Sequence, residues 1–228
     1  MLGDRVRPDF SEYVAHFTRG GSPLSADEKP DDAGIKAVGV ATPYERLVSI
    51  LEQRRIFATP MPWTGRRAVA FTECPWGSMP DHAEQYSPYG VGFTKPHLFA
   101  AGGGPAVYLR ADLFEKQRDF VAALSAGSPG FCPHLYSFVT PFSPPYSPAD
   151  YREHHWKGKA DCDYTHEREW RVPHDFTFDY GQVQFVVVRS YEDVAAFPKA
   201  LKDEIGRQRF LIMDVYEQIE KLWPVHII

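Results

Sequence analysis

Two glutamates and an arginine at alternate positions are the residues of this chain best suited to chemistry. They belong to the segment HEREWRVP, His166 to Pro173. Read as a β-strand, the segment places Glu167, Glu169 and Arg171 on one face, because successive strand side chains point to opposite sides. Two carboxylates on one face can stabilise the positive charge that develops on a sugar when its glycosidic bond breaks. The alternative is a solvated edge strand whose charges pair with Arg171 and lysines and so oppose aggregation.

A second group of residues is suited to nucleotide binding. His16 and Thr18 share one face of a predicted strand, Glu12 to Thr18, and an imidazole offers one donor and one acceptor to a ribose diol. Tyr86 and Tyr89 lie in the segment YSPYGVGF, where their rings are able to stack on a planar group. The alternatives are a half-buried histidine satisfied by the backbone and ordinary packing of the tyrosines in a core.

Composition restricts the class of protein that carries these residues. The chain has 228 residues, 43% of them hydrophobic, and a net charge of −5. These values exclude a disordered chain and a surface that attracts nucleic acid throughout. The three cysteines are an odd number at unrelated spacings, there is no long apolar run and no secretory leader is visible, so we expect a cytoplasmic protein without a membrane span. The spacing of His154, His155, Cys162 and His166 matches no standard zinc pattern, so we expect no metal site.

The elements around the candidate residues predict one α+β domain over residues 1–228. Thr42 as N-cap, Pro43 and Glu45 predict a helix start with a capping box. Short strands bounded by proline or glycine alternate with helices early, in the middle and at the end of the chain, which predicts a mixed sheet with flanking helices. The remaining segments are predicted as a mobile loop at about 20–34, an irregular insertion at about 128–163, and a helical segment at about 191–222 that is broken near Pro198.

The ordered motifs HFT, FTECP, YSPYGVGF and EREWRV resemble those of bacterial abortive-infection and phage-defence proteins of the AbiGi type. More distantly, they resemble those of the DNA-targeting ADP-ribosyltransferase toxins. Those toxins begin with a strand carrying a histidine and a threonine, continue with a helix of the form L..IL..G, and end with a strand that starts at a catalytic glutamate. Here His16, Thr18, the segment Leu47 to Ile56 and Glu169 match that order. The glycine of the helix pattern is replaced, and Arg19, Arg54 and Arg110 are only candidates for the catalytic arginine.

The resemblance implies an ADP-ribosyltransferase-like split sheet and NAD as a substrate. It implies that Glu169 stabilises an oxocarbenium-like ribose and that Glu167 orients the acceptor or its base. The cofactor-binding residues it implies are His16, Thr18, Arg19, Tyr86 and Tyr89. The expected partners are NAD, a nucleic-acid or protein acceptor, and a cognate toxin or antitoxin.

Two rival functions fit the same residues. AbiGi-type proteins are assigned to the antitoxin side, so the chain is alternatively a non-catalytic antitoxin or sensor of the same fold that binds a nucleotide or a protein partner. The other rival is a nucleic-acid-processing phosphotransferase. The acidic balance and the absence of a histidine–arginine cluster in the sequence disfavour the phosphotransferase.

Overall fold

The computed structural model describes residues 11–19, 41–73, 83, 86–123, 132, 134–143 and 163–222. The predicted loop at 20–34 lies outside the described residues, as does most of the predicted insertion at 128–163. The described chain is a mixture of helices and strands with both parallel and antiparallel pairing, which confirms the predicted α+β class and mixed sheet. None of its described helices is long and apolar enough to cross a membrane.

The strands, in chain order, are β1 Tyr13–Phe17, β2 Arg55–Ile56, β3 Thr59–Pro60, β4 Arg67–Thr72, β5 Gly90–Thr94, β6 Gly104–Pro105, β7 Val107–Arg110, β8 Val139–Phe142, β9 Glu169–Val172, β10 Phe176–Thr177, β11 Phe185–Val188 and β12 Phe210–Ile212. The α-helices are α1 Pro43–Gln53, α2 Lys95–Ala100, α3 Ala111–Ala123, α4 Leu135–Phe138, α5 Tyr191–Ala196, α6 Lys199–Ile205 and α7 Met213–Leu222. Short 3₁₀ turns cover Thr165–Glu167, Tyr180–Gln182 and Arg207–Arg209.

The chain forms two compact units. The first comprises Met1–Ile56, Glu73–His97 and Thr177–Ile228, and the second comprises Phe57–Thr72 and Leu98–Phe176. That the whole of 1–228 acts as one domain stays a prediction.

Four strands of the first unit pair side by side. β5 runs antiparallel to both β1 and β11, and β11 runs parallel to β12. A cluster that includes Phe17, Phe185 and Met213 packs on this sheet. Gly92 on β5 is needed there, because a Cβ at this position would lie 2.2 Å from the Phe185 ring. A side chain on residue 92 and the Phe185 ring therefore compete for one volume.

Helix α1 begins as the sequence predicts. The Thr42 hydroxyl accepts a hydrogen bond from the Glu45 backbone N–H at 3.2 Å, and the Glu45 carboxylate accepts one from the Thr42 N–H at 2.7 Å. Pro43 occupies the first helical position, where its missing N–H breaks no bond. Leu47 and Leu51 are fully buried and fix the side of the helix that faces the core.

The second unit places β9 between two other strands. β9 pairs antiparallel with β4 through residues such as Trp170, opposite Phe71, and antiparallel with β6 on its other side. Because both edges of β9 are paired within this unit, the solvated-edge interpretation of the segment is wrong. β7 and β8 form a separate parallel pair.

The predicted strand at His166–Pro173 is shorter than expected. The structure begins β9 at Glu169, while Thr165–Glu167 forms a 3₁₀ turn and Arg168 adopts a left-handed conformation with φ 44°. The physical reason lies just upstream: the Asp163 carboxylate accepts hydrogen bonds from both the backbone N–H and the hydroxyl of Thr165, at 3.0 and 2.6 Å. Such local bonding favours a turn over an extended strand. Glu167 therefore does not share a strand face with Glu169.

Two strands occupy segments that we expected to be irregular or helical. β8 and helix α4 lie within the expected irregular insertion, and β12 lies within the expected helical segment. We expected an irregular segment here partly because of Pro141, since proline interrupts most strands. In the described residues, however, β8 pairs only with β7, and an edge strand tolerates a proline. The helical segment is broken at Pro198 as predicted, between the end of α5 and the start of α6.

Candidate functional site

The second unit holds a buried ion pair at the start of β9. The Arg171 Nε donates to Glu169 Oε1 at 2.8 Å, and Nη2 donates to Oε2 at 2.6 Å. The Arg171 side chain is 0% exposed and that of Glu169 is 8% exposed. Residues two apart on a strand lie on one face, and the flat guanidinium matches both carboxylate oxygens at once. The Glu169 carboxylate consequently has a fixed orientation.

Arg171 has further partners that hold it in place. Its Nη1 donates to the backbone carbonyls of Ser137 and Val139, each at 3.0 Å. The guanidinium carbon lies 5.3 Å from the centre of the Trp63 ring, and the Trp63 indole N–H donates to the Val139 carbonyl at 2.7 Å. One arginine thus links β9 to the end of α4 and the start of β8. This connection is long-range in sequence.

A second carboxylate and a phenol lie near the pair. Glu167 is buried, and its backbone carbonyl accepts a hydrogen bond from the Thr72 hydroxyl at 2.6 Å. Burial raises the pKa of Tyr108, and the negative charges of Glu169 and Glu167 raise it further. The Tyr108 hydroxyl donates to the Tyr164 carbonyl at 2.8 Å. We name Glu167, Glu169, Arg171 and Tyr108 the carboxylate cluster.

The carboxylate cluster differs from the sequence-based expectation in its burial and agrees with it in the pairing of Glu169 with Arg171. Glu169 and Arg171 do interact, as the non-catalytic interpretation proposed, but they lie in the interior and not on a solvated face. The two glutamates remain close enough that both act on the pKa of Tyr108, although Glu167 reaches this place through a turn. Chemically, the cluster offers a fixed carboxylate, that of Glu169, and a second acidic group, Glu167, whose charge acts on the same phenol.

In the first unit, Thr18 forms a hydrogen-bonded junction. Its hydroxyl lies 2.9 Å from the Pro43 carbonyl and 3.2 Å from the Ser87 hydroxyl, and its backbone N–H donates to the Tyr89 carbonyl at 2.9 Å. The Ser87 hydroxyl in turn donates to the Thr18 carbonyl at 2.6 Å. These bonds give Thr18 a structural role, since they connect the end of β1 to the start of α1 and to the residues before β5.

The other predicted cofactor-binding residues also lie in the first unit. His16 is half-buried on β1 opposite Val91. The Arg19 guanidinium lies 4.3 Å from the centre of the Tyr86 ring, a cation–π distance. The Tyr89 hydroxyl donates to Asp193 at 3.0 Å, and burial together with this carboxylate raises the pKa of Tyr89 to about 12. Contact of these residues with NAD stays a prediction.

Sequence reasoning missed most of the partners that define the carboxylate cluster. Trp63, Ser137 and Tyr164 lie between 7 and 108 positions from Arg171 and belong to no motif. Tyr108 lies in β7 and was not among the residues that we expected to do chemistry. Within the described residues, no group of three or more histidine, cysteine or acidic residues is arranged to hold a metal.

Comparison of the chain with protein-family models, with curated proteins and with solved structures finds no match. The function proposed below is therefore supported by the geometry of the carboxylate cluster and by the motif resemblance alone.

Proposed function

We propose that the chain is an NAD-dependent ADP-ribosyltransferase that acts as a toxin or phage-defence effector on a nucleic-acid or protein acceptor. The observation that supports this most directly is the fixed Glu169 carboxylate, oriented by two hydrogen bonds from Arg171. A charge that is already oriented stabilises a transition state without reorganising during the reaction. Glu169 was also the residue matched to the catalytic glutamate by the motif order.

The proposed reaction breaks the bond between the anomeric carbon of the ribose and the nicotinamide nitrogen. Nicotinamide leaves with the bonding electron pair and becomes neutral, and positive charge develops on the ribose. The Glu169 carboxylate stabilises that charge, as carboxylates do in glycoside hydrolysis. An acceptor oxygen or nitrogen then bonds to the anomeric carbon, and its proton passes to Glu167 as general base. The products are the ADP-ribosylated acceptor, nicotinamide and a proton.

Arg171 is a positioning residue in this proposal. Each carboxylate oxygen has two lone pairs, and the two bonds from Arg171 use one on each oxygen. The others are the acceptors that a ribose hydroxyl needs. Because only 8% of the Glu169 side chain is exposed, a ribose hydroxyl has little accessible surface through which to reach these acceptors.

A second candidate function is a non-catalytic antitoxin or sensor that binds a nucleotide or a protein partner. The observation that favours it is the complete burial of Arg171 and the pairing of both Glu169 oxygens. Buried arginine–carboxylate pairs of this geometry also occur purely as structural elements. On this alternative the cluster holds β9 in place, and the ligand or partner binds elsewhere.

The deciding experiment incubates purified protein with NAD and with DNA, RNA or lysate as acceptor, and follows nicotinamide release by mass spectrometry. Glu169→Gln keeps the shape of the side chain and removes its charge, and we expect release to fall by about 100-fold or more. Glu52→Gln, which changes an exposed carboxylate on α1, is the matched control and should leave release unchanged. Thermal unfolding of both variants establishes that they are folded.

Release by wild type that Glu169→Gln leaves unchanged refutes the role of Glu169. No release with any acceptor refutes the enzyme and favours the second candidate. Expression in a bacterial host separates the two further, since a toxin impairs growth and Glu169→Gln relieves the impairment. An antitoxin is harmless alone and binds the product of a neighbouring gene.

A further inference from the structure

The short turn that carries Glu167 is held by hydrogen bonds at both of its ends. The Tyr164 carbonyl accepts from the Tyr108 hydroxyl at 2.8 Å and from the Glu167 backbone N–H at 3.0 Å. The Glu167 carbonyl accepts from the Thr72 hydroxyl at 2.6 Å. Two side chains from other strands of the second unit, Tyr108 on β7 and Thr72 on β4, therefore fix the backbone of the turn.

The turn needs this support because the residue that follows it has an unfavourable backbone conformation. Arg168 has φ 44° and ψ 51°, in the left-handed region that any residue with a Cβ adopts at a cost in energy. Such a conformation persists only where the surrounding structure holds it. Arg168 separates Glu167 from Glu169, so the bonds that hold the turn also set where one glutamate lies relative to the other.

Tyr108 contacts the chain on both sides of this turn. Two residues before it, the Ala106 N–H donates to the Glu169 carbonyl at 2.8 Å, so the chain entering β7 runs beside the start of β9. Burial raises the pKa of the Tyr108 phenol, the charge of Glu169 raises it further, and a hydrogen bond from the Glu169 backbone opposes the rise. The phenol has one proton, and it donates this proton to the Tyr164 carbonyl. It therefore holds the backbone without donating to either carboxylate.

We propose that Tyr108 is a positioning residue for ADP-ribosyl transfer: its hydroxyl keeps the turn in the geometry that places Glu167 for removal of the acceptor proton. This inference rests on the proposed function. Tyr108 acts through Glu167, so its loss should weaken the bonding of the acceptor to the anomeric carbon. Glu169 keeps its two bonds from Arg171 and should still support departure of nicotinamide. Water then takes the place of the acceptor, and the products are free ADP-ribose, nicotinamide and a proton.

The test measures two products of radiolabelled NAD in one reaction, label transferred to DNA, RNA or lysate protein and label in free ADP-ribose. Tyr108→Phe keeps the ring and removes the hydroxyl. We expect the ratio of transferred to free ADP-ribose to fall about tenfold, part of the effect that a well-placed general base supplies. A purely structural loss reduces the amount of folded protein and leaves this ratio unchanged. Tyr180→Phe is the matched control, because that phenol also donates to a backbone carbonyl, of Leu51 at 3.1 Å in the first unit, and the ratio should not change.

A double-mutant cycle with Glu167→Gln shows whether Tyr108 acts through Glu167. In a protein that already carries Glu167→Gln, Tyr108→Phe should change the ratio no further, because residues that act as a unit are not additive. A wild-type ratio in Tyr108→Phe overturns the proposal, as does a full additional effect in the double variant.

If Tyr108→Phe fails to fold, Thr72→Val replaces it. Valine keeps the shape of threonine and removes the hydroxyl that bonds the other end of the turn, so the same fall in the ratio is expected, and an unchanged ratio overturns the proposal. Absence of nicotinamide release by wild type sinks the proposed function, and this inference with it. Normal release with a ratio that Tyr108→Phe leaves unchanged sinks this inference alone.

Discussion

Arg171→Met tests how much of the second unit depends on the buried ion pair. Methionine is unbranched and fills most of the space of the arginine stem, so the change removes charge and donors more than volume. It leaves the Glu169 carboxylate, with 8% of its side chain exposed, without its partner. The carbonyls of Ser137 and Val139 each lose a donor as well.

The expected loss of stability follows from these contacts. Breaking a buried pair by removing one partner costs about 3–5 kcal/mol, and loss of the donor to the Ser137 carbonyl adds about 1 kcal/mol or more. The Val139 carbonyl keeps a donor, the Trp63 indole N–H. Burial of the methionine side chain offsets about 1.5–3 kcal/mol of this sum. We therefore expect the free energy of unfolding to fall by about 3 kcal/mol, a large part of the roughly 5–15 kcal/mol typical of a domain.

Urea unfolding followed by tryptophan fluorescence measures the loss. The double variant Glu169→Leu with Arg171→Met should recover about 2 kcal/mol or more relative to Arg171→Met alone, because an apolar replacement of a whole buried pair is often neutral. Arg110→Gln, which removes a mostly exposed pair with Asp112 in the same unit, should change stability by less than about 1 kcal/mol. A loss below about 1 kcal/mol in Arg171→Met, or a double variant less stable than the single one, would refute the reasoning.

Two further predictions concern the first unit. The pKa of Tyr89 is about 12 in the folded chain against an ordinary 10.0, so Tyr89 ionises first in the unfolded chain. The free energy of unfolding of wild type should therefore fall relative to that of Tyr89→Phe as pH rises from 10 to 12. Equal pH dependence of the two proteins in urea unfolding contradicts this. Gly92→Ala places a methyl group 2.2 Å from the Phe185 ring and should cost about 1–3 kcal/mol. Gly181→Ala, with nothing within 4 Å, should change stability by less than about 0.5 kcal/mol, and equal effects of the two glycine substitutions in thermal unfolding would show the packing argument to be wrong.

The elements that sequence alone predicted well are those with local causes. The start of α1 follows from Thr42, Pro43 and Glu45, which lie within four positions and form the capping box in the structure. The break between α5 and α6 follows from Pro198, whose ring excludes a continuous helix. In both places the residues that decide the backbone conformation are adjacent in the chain.

The elements that were predicted wrongly depend on residues far away in the sequence, or lie where a local turn competes with the strand. The alternating letters of HEREWRVP satisfy the strand pattern, yet Asp163, three residues before it, bonds Thr165 and starts a turn. β8 exists because β7 lies beside it, and no local pattern around Pro141 indicates that pairing. Register and pairing depend on partners that periodicity does not identify.

The candidate site likewise has one contact that the sequence predicts and others that it does not. Glu169 and Arg171 are two positions apart, so their common face was predictable, and the structure adds only that the face is buried. Its partners Trp63, Ser137 and Val139 come from segments far away in sequence. The chemistry of a side chain is readable from its type, but its burial depends on what the rest of the chain places around it.

The burial of Glu169 does not by itself separate a catalytic role from a structural one. An ion pair that only stabilises β9 requires both carboxylate oxygens to be bonded and nothing more, and Arg171 meets that requirement. A catalytic carboxylate requires the same fixed orientation and, in addition, a lone pair that a ribose hydroxyl can reach. The catalytic role therefore includes the structural one, because the ion pair that stabilises β9 is also what would orient the catalytic carboxylate. Loss of stability in Arg171→Met supports both, and only loss of nicotinamide release in a folded Glu169→Gln variant supports the catalytic role alone.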